Sequence, residues 1–303
     1  MMFIDWEQDQ WERVGIAVVQ VIISFCFFRL LQYAVRWYLF GKWSFPWFAY
    51  FSDAARNEDA ESMQEVSALA TPPRTPHKKW RISNEAVSLL HSAISGIWAL
   101  SACVLYPQMF SNMHTWYNSS TSYLILMSTG YLLHDLLDLL INEGSLRILE
   151  LLFHHVVVLT AFYTTLSSEK FLGVVVCGLL MEVNSIFLHS RSLLNLYGWS
   201  KASSTYRFIS LMNMLTLFIF RMAVSVYLLV WQIMTCWDLV WYYVLVTFVV
   251  ILSLGITNTV LAYRVLAADG YLGESRARLP PPPPVIDSKD GGNLVLVTVD
   301  TEE

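Results

Sequence analysis

Seven long apolar runs alternate with polar segments along the chain. They cover about residues 14–40, 84–106, 121–141, 147–166, 170–194, 207–231 and 238–264. Each meets the ~20 residues needed to cross a ~30 Å hydrocarbon core. A lipid-exposed backbone has to satisfy its own hydrogen bonds, so each run predicts a helix. The expected fold is all-α, a multi-pass membrane bundle of about seven transmembrane helices. Arg29 interrupts the first run, which makes that helix either inward-facing or interfacial. No internal repeat is visible.

The polar segments divide the chain. Residues 1–40 form an N-terminal segment with the first membrane helix, and 41–79 a flexible cytosolic loop. Residues 80–265 make up the main membrane domain, and 266–303 a disordered cytosolic tail. The loop contains the polar, Pro-containing stretch AARNEDAESMQEVSALATPPRTPHKK, a composition that predicts flexibility. The tail holds Pro280 to Pro284, a short polyproline II rod. Arg278-x-x-Pro281-x-x-Pro284 fits a generic SH3-ligand pattern, so an SH3-type partner is one reading and a stiff linker the plainer one. The first residues, MMFIDWEQDQWERVG, are acidic and lack a positive n-region, so a retained span is expected rather than a cleaved signal.

Composition agrees with the pattern. The chain is 55% hydrophobic and 14% charged, which is too apolar for a soluble domain. A net charge of −5 gives no reason to expect nucleic acid. Cys26, Cys103, Cys177 and Cys236 lie in apolar runs or at their ends without metal spacing. They read as small buried hydrophobes. Basic residues set the orientation. Lys42, Arg56, Arg74, Lys78, Lys79 and Arg81 crowd the first loop, whereas residues 107–120 hold no Lys or Arg. Continued along the chain, the alternation predicts N-out and C-in. Asn118-Ser119-Ser120 is a glycosylation sequon that this topology places outside.

Ionisable groups inside spans are costly and mark function by default. The stretch Gly130 to His155, GYLLHDLLDLLINEGSLRILELLFHH, concentrates them. His91, His134, Asp135, Asp138, His154, His155, Glu182 and His189 fall on four predicted spans. At 1.5 Å per residue they form one layer, roughly 5–20 Å from the cytosolic face. His134 and Asp138 are spaced i,i+4, as are Glu150 and His154. Glu182, Ser185 and His189 form one stripe. Arg221 lies deep in the sixth span and needs a partner, Glu182 or Asp138, with depth favouring Glu182. The layer reads as a polar pocket open to the cytosol or as interhelical hydrogen bonds that hold the bundle together. Asp135 and Asp138 would be merely hydrated if they lie at the interface.

Several chemistries can be weighed against these residues. Seven histidines without repeated HxxxH or HxxHH boxes exclude a di-iron desaturase. His134, Asp138 and His154 offer three zinc ligands at most, with nothing to fix their geometry. Neither a metal nor another cofactor is expected. Acyl transfer requires a base or nucleophile near a carbonyl carbon. His154 or His155 would serve, with Asp135, Asp138 or Glu182 as partner.

With these residues in view, the chain resembles the TLC domain family, which includes ceramide synthases, translocation-associated membrane proteins and lipid-regulating proteins. The resemblance rests on LHSAISGIWALSACVLYPQM (90–109), GYLLHDLLDLL (130–140), LLFHHVVV (151–158) and GLLMEVNSIFLHSRSLL (178–194). The YPQM ending and MEVNSIFLHSR point to the branch of TLC domain-containing proteins 1 and 2. The resemblance implies a helical bundle whose pocket faces phospholipid or fatty acyl chains. It also implies a plasma-membrane protein, with the endoplasmic reticulum as the alternative. The implied role is to limit incorporation of polyunsaturated chains into phospholipids and so regulate membrane fluidity, with no settled enzymatic activity. Ceramide synthases place a His-Asp-x-x-Asp box on the span after their His pair. Here His134-Asp135-Leu136-Leu137-Asp138 precedes the pair, and Glu182-Val183-Asn184-Ser185 follows it. Only the pair carries over, as His154 and His155. Two further readings stand beside the first: an acyl-CoA-dependent lipid acyltransferase, and a non-enzymatic regulator of another membrane protein.

Overall fold

A computed structural model describes residues 2–40, 78–142 and 147–269. Every element among the described residues is helical. Seven helices are long and apolar enough to cross a membrane: α1 (Trp11–Phe40), α2 (Lys78–Leu105), α3 (Ser119–Asn142), α4 (Ile148–Ser168), α5 (Leu172–Leu196), α6 (Ser204–Thr235) and α7 (Trp241–Ala268). The protein is thus an all-α, multi-pass membrane bundle. Contacts divide the chain into one unit up to Ala262 and another from Tyr263, whose described part is the last turns of α7 and Asp269. The flexible-loop and disordered-tail expectations, the Pro280–Pro284 rod and most of the turn before α4 lie outside the described residues.

Element boundaries follow the apolar runs closely except at two starts: the first helix begins at Met2 rather than 14, and α2 also begins early. That helix begins at Lys78 rather than 84, because Trp80 is buried and its indole is used inside the bundle. A polar first turn hides this from an apolar-run reading.

Burial separates interior helices from peripheral ones. α2, α3 and α5 bury 44%, 61% and 56% of their most apolar window, against 11–22% for α1, α4, α6 and α7. On α3 the buried positions Leu124, Ser128, Tyr131, Asp135 and Asp138 repeat at three- and four-residue steps, the spacing of one helical face. Leu133, Leu137 and Leu140 on the same helix are exposed. On α1, Val18, Ile22 and Leu30 are each more than half exposed. An apolar exterior of this kind is suited to lipid.

Two glycines allow close approach. A Cβ on Gly96 would lie 2.9 Å from the backbone nitrogen of Val183, so α2 and α5 touch backbone to backbone. A Cβ on Gly130 would lie 2.5 Å from Ser24 Cβ and 2.6 Å from the Val21 carbonyl, so α1 lies directly on α3. Short-residue contacts replace a hydrophobic driving force that lipid does not supply.

Asn118 starts α3. Its Oδ1 accepts from the backbone nitrogens of Ser120 (2.9 Å) and Thr121 (3.4 Å), an N-cap that satisfies otherwise orphaned donors. In unglycosylated protein, Asn118→Asp is expected to keep wild-type stability and Asn118→Ala to lose about 1 kcal/mol. Thermal unfolding in detergent measures both. Equal loss in the two variants would mean that the cap contributes nothing.

Candidate functional site

The polar residues of the sequence are drawn into several hydrogen-bonded knots. The largest centres on Asp138, whose side chain is fully buried. Its Oδ1 faces Arg29 Nη1 at 3.1 Å and Arg36 Nη2 at 3.7 Å. Its Oδ2 accepts from Gln32 Nε2 at 2.7 Å and from the Trp80 indole. Arg36 Nε donates to Ser83 Oγ at 3.0 Å. Arg29 is therefore inward-facing. Arg29, Gln32 and Arg36 were legible only as a stripe at i, i+3 and i+7, a pattern not used above. Asp138 is an ion-pair hub for α1, α2 and α3 and not a hydrated surface carboxylate.

Asp135 is also buried. It faces His155 Nε2 on α4 at 3.0 Å, while His155 Nδ1 lies 2.7 Å from the Leu151 carbonyl. A carbonyl only accepts, so Nδ1 carries a hydrogen. A single further proton then sits between Nε2 and Asp135, and both nitrogens of His155 are engaged. His154 differs. It is half-buried, its ring centroid lies 6.0 Å from that of His155, and no hydrogen bond is formed by its ring among the described residues. His134, placed one turn before Asp138, is fully buried with neither ring nitrogen hydrogen-bonded, and it meets Phe25 edge-on.

The α2–α5 contact carries the next group. His91 is buried and stacks on Tyr131 at 3.7 Å, with Nε2 3.3 Å from Ser128 Oγ. Ser92 donates to Glu182 Oε2 at 2.6 Å. His189 Nδ1 lies 2.7 Å from Glu85 Oε2, and Ser192 donates to Glu85 Oε1 at 2.7 Å. Glu85 was missed because it lies in the polar start of α2.

Arg221 stands in a π-helical stretch of α6, Leu217–Ala223. Such π-turns occur often at functional sites. Its expected carboxylate partner is replaced by neutral groups. Nε donates to Asn184 Oδ1 at 2.8 Å, Nη1 to Asn258 Oδ1 at 3.0 Å and Nη2 to Ser185 Oγ at 2.8 Å. Asn184 is itself fixed, donating to Asn213 and Thr216. The two asparagines drew no attention in the sequence, since a neutral amide in an apolar run stands out less than a charge. His154, Glu182 and Arg221 are each partly exposed. Among the described residues, no three of His, Cys, Asp and Glu gather as metal ligands.

An apolar groove of about 490 Å³ is lined by Phe110, Cys177, Leu180, Ala223, Val224 and Tyr227. None of the predicted site residues lines it.

Known proteins resemble this chain over its membrane domain. The TLC domain matches residues 81–267. TLC domain-containing protein 2 of Danio rerio is 32% identical over 169 residues, 56% of this chain and 68% of that protein. TLC domain-containing protein 1 of Homo sapiens is 34% identical over 163 residues, 54% of this chain and 64% of its own length. TLC domain-containing protein 2 of Homo sapiens is 31% identical over 214 residues, 71% of this chain and 80% of its own. The matched domain takes in nearly all of α2, α3 to α6 and nearly all of α7, and with them the His154–His155 pair and the Arg221 knot. On that match, the chain belongs to the TLC domain family.

Proposed function

We propose that this protein sets the acyl-chain composition of membrane phospholipids, limiting incorporation of polyunsaturated chains and so lowering membrane fluidity. One observation carries the reading. Within the TLC domain, His154 is partly exposed with a ring that forms no hydrogen bond among the described residues, beside an Asp135–His155 pair that is buried and closed. In this reading the lipid meets His154, and His91, His134, Asp135, Asp138, His155, Glu182, His189 and Arg221 belong to the polar interior behind it. The plasma membrane is the proposed location, with N-out, C-in topology. Glycosylation at Asn118 would follow, read as a loss of mass on glycosidase treatment.

The test is phospholipid lipidomics in cells fed a polyunsaturated fatty acid. It compares wild type, no protein and His154→Ala at matched expression. His154→Ala leaves the Asp135–His155 pair intact, so it separates function from folding better than the double variant His154→Ala/His155→Ala. Wild type is expected to lower polyunsaturated chains and His154→Ala to lose that effect. A His154→Ala protein that performs like wild type would overturn the role of this layer.

A second reading, lipid acyltransferase, is favoured by the uncommitted His154 ring. Such a ring would take the proton of an attacking hydroxyl or amine as it bonds to the thioester carbon of an acyl-CoA, and give it to the CoA sulfur as the C–S bond breaks. Incubation of purified protein with labelled acyl-CoA and lipid acceptors decides it, and absence of transfer to every acceptor sinks it.

A further inference from the structure

The ends of α1 and α3 and the start of α2 meet at one corner of the bundle. Lys79 Nζ lies 5.5 Å over the Phe40 ring, so the last residue of α1 stands beside the first turn of α2. The Trp80 indole enters the Asp138 hub on α3, which keeps its sequence neighbours Lys79 and Arg81 at the same corner. Lys78 and Lys79 are exposed and Arg81 is half-buried.

Charge at this corner is lopsided. Residues 29–40, 78–85 and 135–142 hold five cations, Arg29, Arg36, Lys78, Lys79 and Arg81, and three carboxylates, Glu85, Asp135 and Asp138. Two of those carboxylates are turned elsewhere, Glu85 to His189 and Ser192 and Asp135 to His155. Asp138 remains, and Arg29 and Arg36 already share it. Arg36 Nη2, 3.7 Å from Asp138, makes no hydrogen bond, so one carboxylate does not saturate the two guanidiniums. The hub carries one more positive than negative charge, and three further cations adjoin it. The residues next to Arg36 fix the depth. Trp37 and Tyr38 are exposed, and amphipathic rings on the outside of a span settle at headgroup level. Basic side chains at that level lie beside lipid phosphates.

We propose that this corner binds the headgroup of an anionic phospholipid, with its negative charge on Lys78, Lys79 and Arg81 and its acyl chains along the exposed apolar face of α1. Charge complementarity selects an anionic headgroup over a zwitterionic one. The exposed Phe27, Leu30 and Trp37 on α1 give the acyl chains a surface that a soluble anion would not use. In the proposed topology the lipid belongs to the cytosolic leaflet. It is a ligand of the protein's exterior, so this inference stands apart from the proposed function and from His154.

The experiment is native mass spectrometry of the purified full chain in detergent with equimolar phosphatidylserine and phosphatidylcholine, reading which lipid is retained first. Wild type is expected to favour phosphatidylserine about fivefold, the factor of one basic side chain near an anionic headgroup. Lys78→Gln/Lys79→Gln/Arg81→Gln should bring the ratio close to one. Lys201→Gln/Arg207→Gln, which removes two exposed cations between α5 and α6, should keep the wild-type ratio. If the triple variant does not fold, Lys78→Gln/Lys79→Gln, confined to exposed side chains, decides in its place by the same fall. A wild-type ratio of one, or a wild-type preference that survives neutralisation of this corner, would overturn the proposal. Equal loss in the Lys201→Gln/Arg207→Gln protein would also overturn it, by assigning the preference to diffuse charge. Excess glycerophosphoserine, the soluble headgroup, should leave phosphatidylserine in place, and displacement by it would assign the corner to a free phosphate ester and overturn the lipid.

Discussion

Asp138→Ala is expected to lower stability by about 3–5 kcal/mol, the cost of removing one partner from a buried ion pair. The substitution leaves Arg29 and Arg36, whose side chains are 13% and 10% exposed, without their carboxylate. It also strips the Gln32 amide and the Trp80 indole of an acceptor. All four donors come from α1 and the start of α2, so α1 should detach first. A lower thermal midpoint in detergent is the expected result. Replacing the charges together, as Asp138→Leu with Arg29→Met and Arg36→Met, should recover much of the loss, since an apolar set avoids the desolvation cost. A wild-type midpoint for Asp138→Ala would show that the arginines find other partners.

Gly130→Leu should separate the same two helices by steric means. Even an alanine Cβ would lie 2.5 Å from Ser24 Cβ and 2.6 Å from the Val21 carbonyl. The carbonyl is backbone, so relief requires α1 to move as a whole. That movement stretches the 2.6 Å hydrogen bond from Ser24 Oγ to the Met127 carbonyl. Overpacking costs about 1–3 kcal/mol for small insertions, and leucine should reach or pass the upper end. Gly178→Ala is the control. Nothing lies within 4 Å of its added Cβ, so it should be neutral or gain up to about 1 kcal/mol from helix propensity. Equal behaviour of the two variants in thermal unfolding would contradict the close-approach account.

Much of the architecture was legible because lipid imposes a single demand on the backbone. Each long apolar run became a helix, and the two ends of α3 fell within two residues of the run at 121–141. The start of α2 was not legible, because Trp80 enters the core from a basic turn. Depth alone gathered His91, Asp135, His155 and Glu182 near one level, but it could not say which would pair. Pairing depends on the rotation of each helix about its axis, which the close contacts at Gly96 and Gly130 set. Arg221 shows the limit most plainly. Charge reasoning sends it to Glu182, whereas Asn184, Ser185 and Asn258 receive it. A neutral polar network of this kind leaves only a weak trace in an apolar sequence.

The Arg29–Asp138 contact joins residues 109 positions apart, and this bears on biogenesis. α1 leaves the ribosome before α3, carrying Arg29 and Arg36, while its acid, Glu12, lies near the other end of the helix. At a synthesis rate of about 5–20 residues per second, a separation of 109 positions corresponds to a wait of roughly 5–20 s. During that interval the cations of α1 must be borne by the insertion machinery, by lipid phosphates or by water. Final seating of the first helix is thus a late event, timed by the arrival of the third.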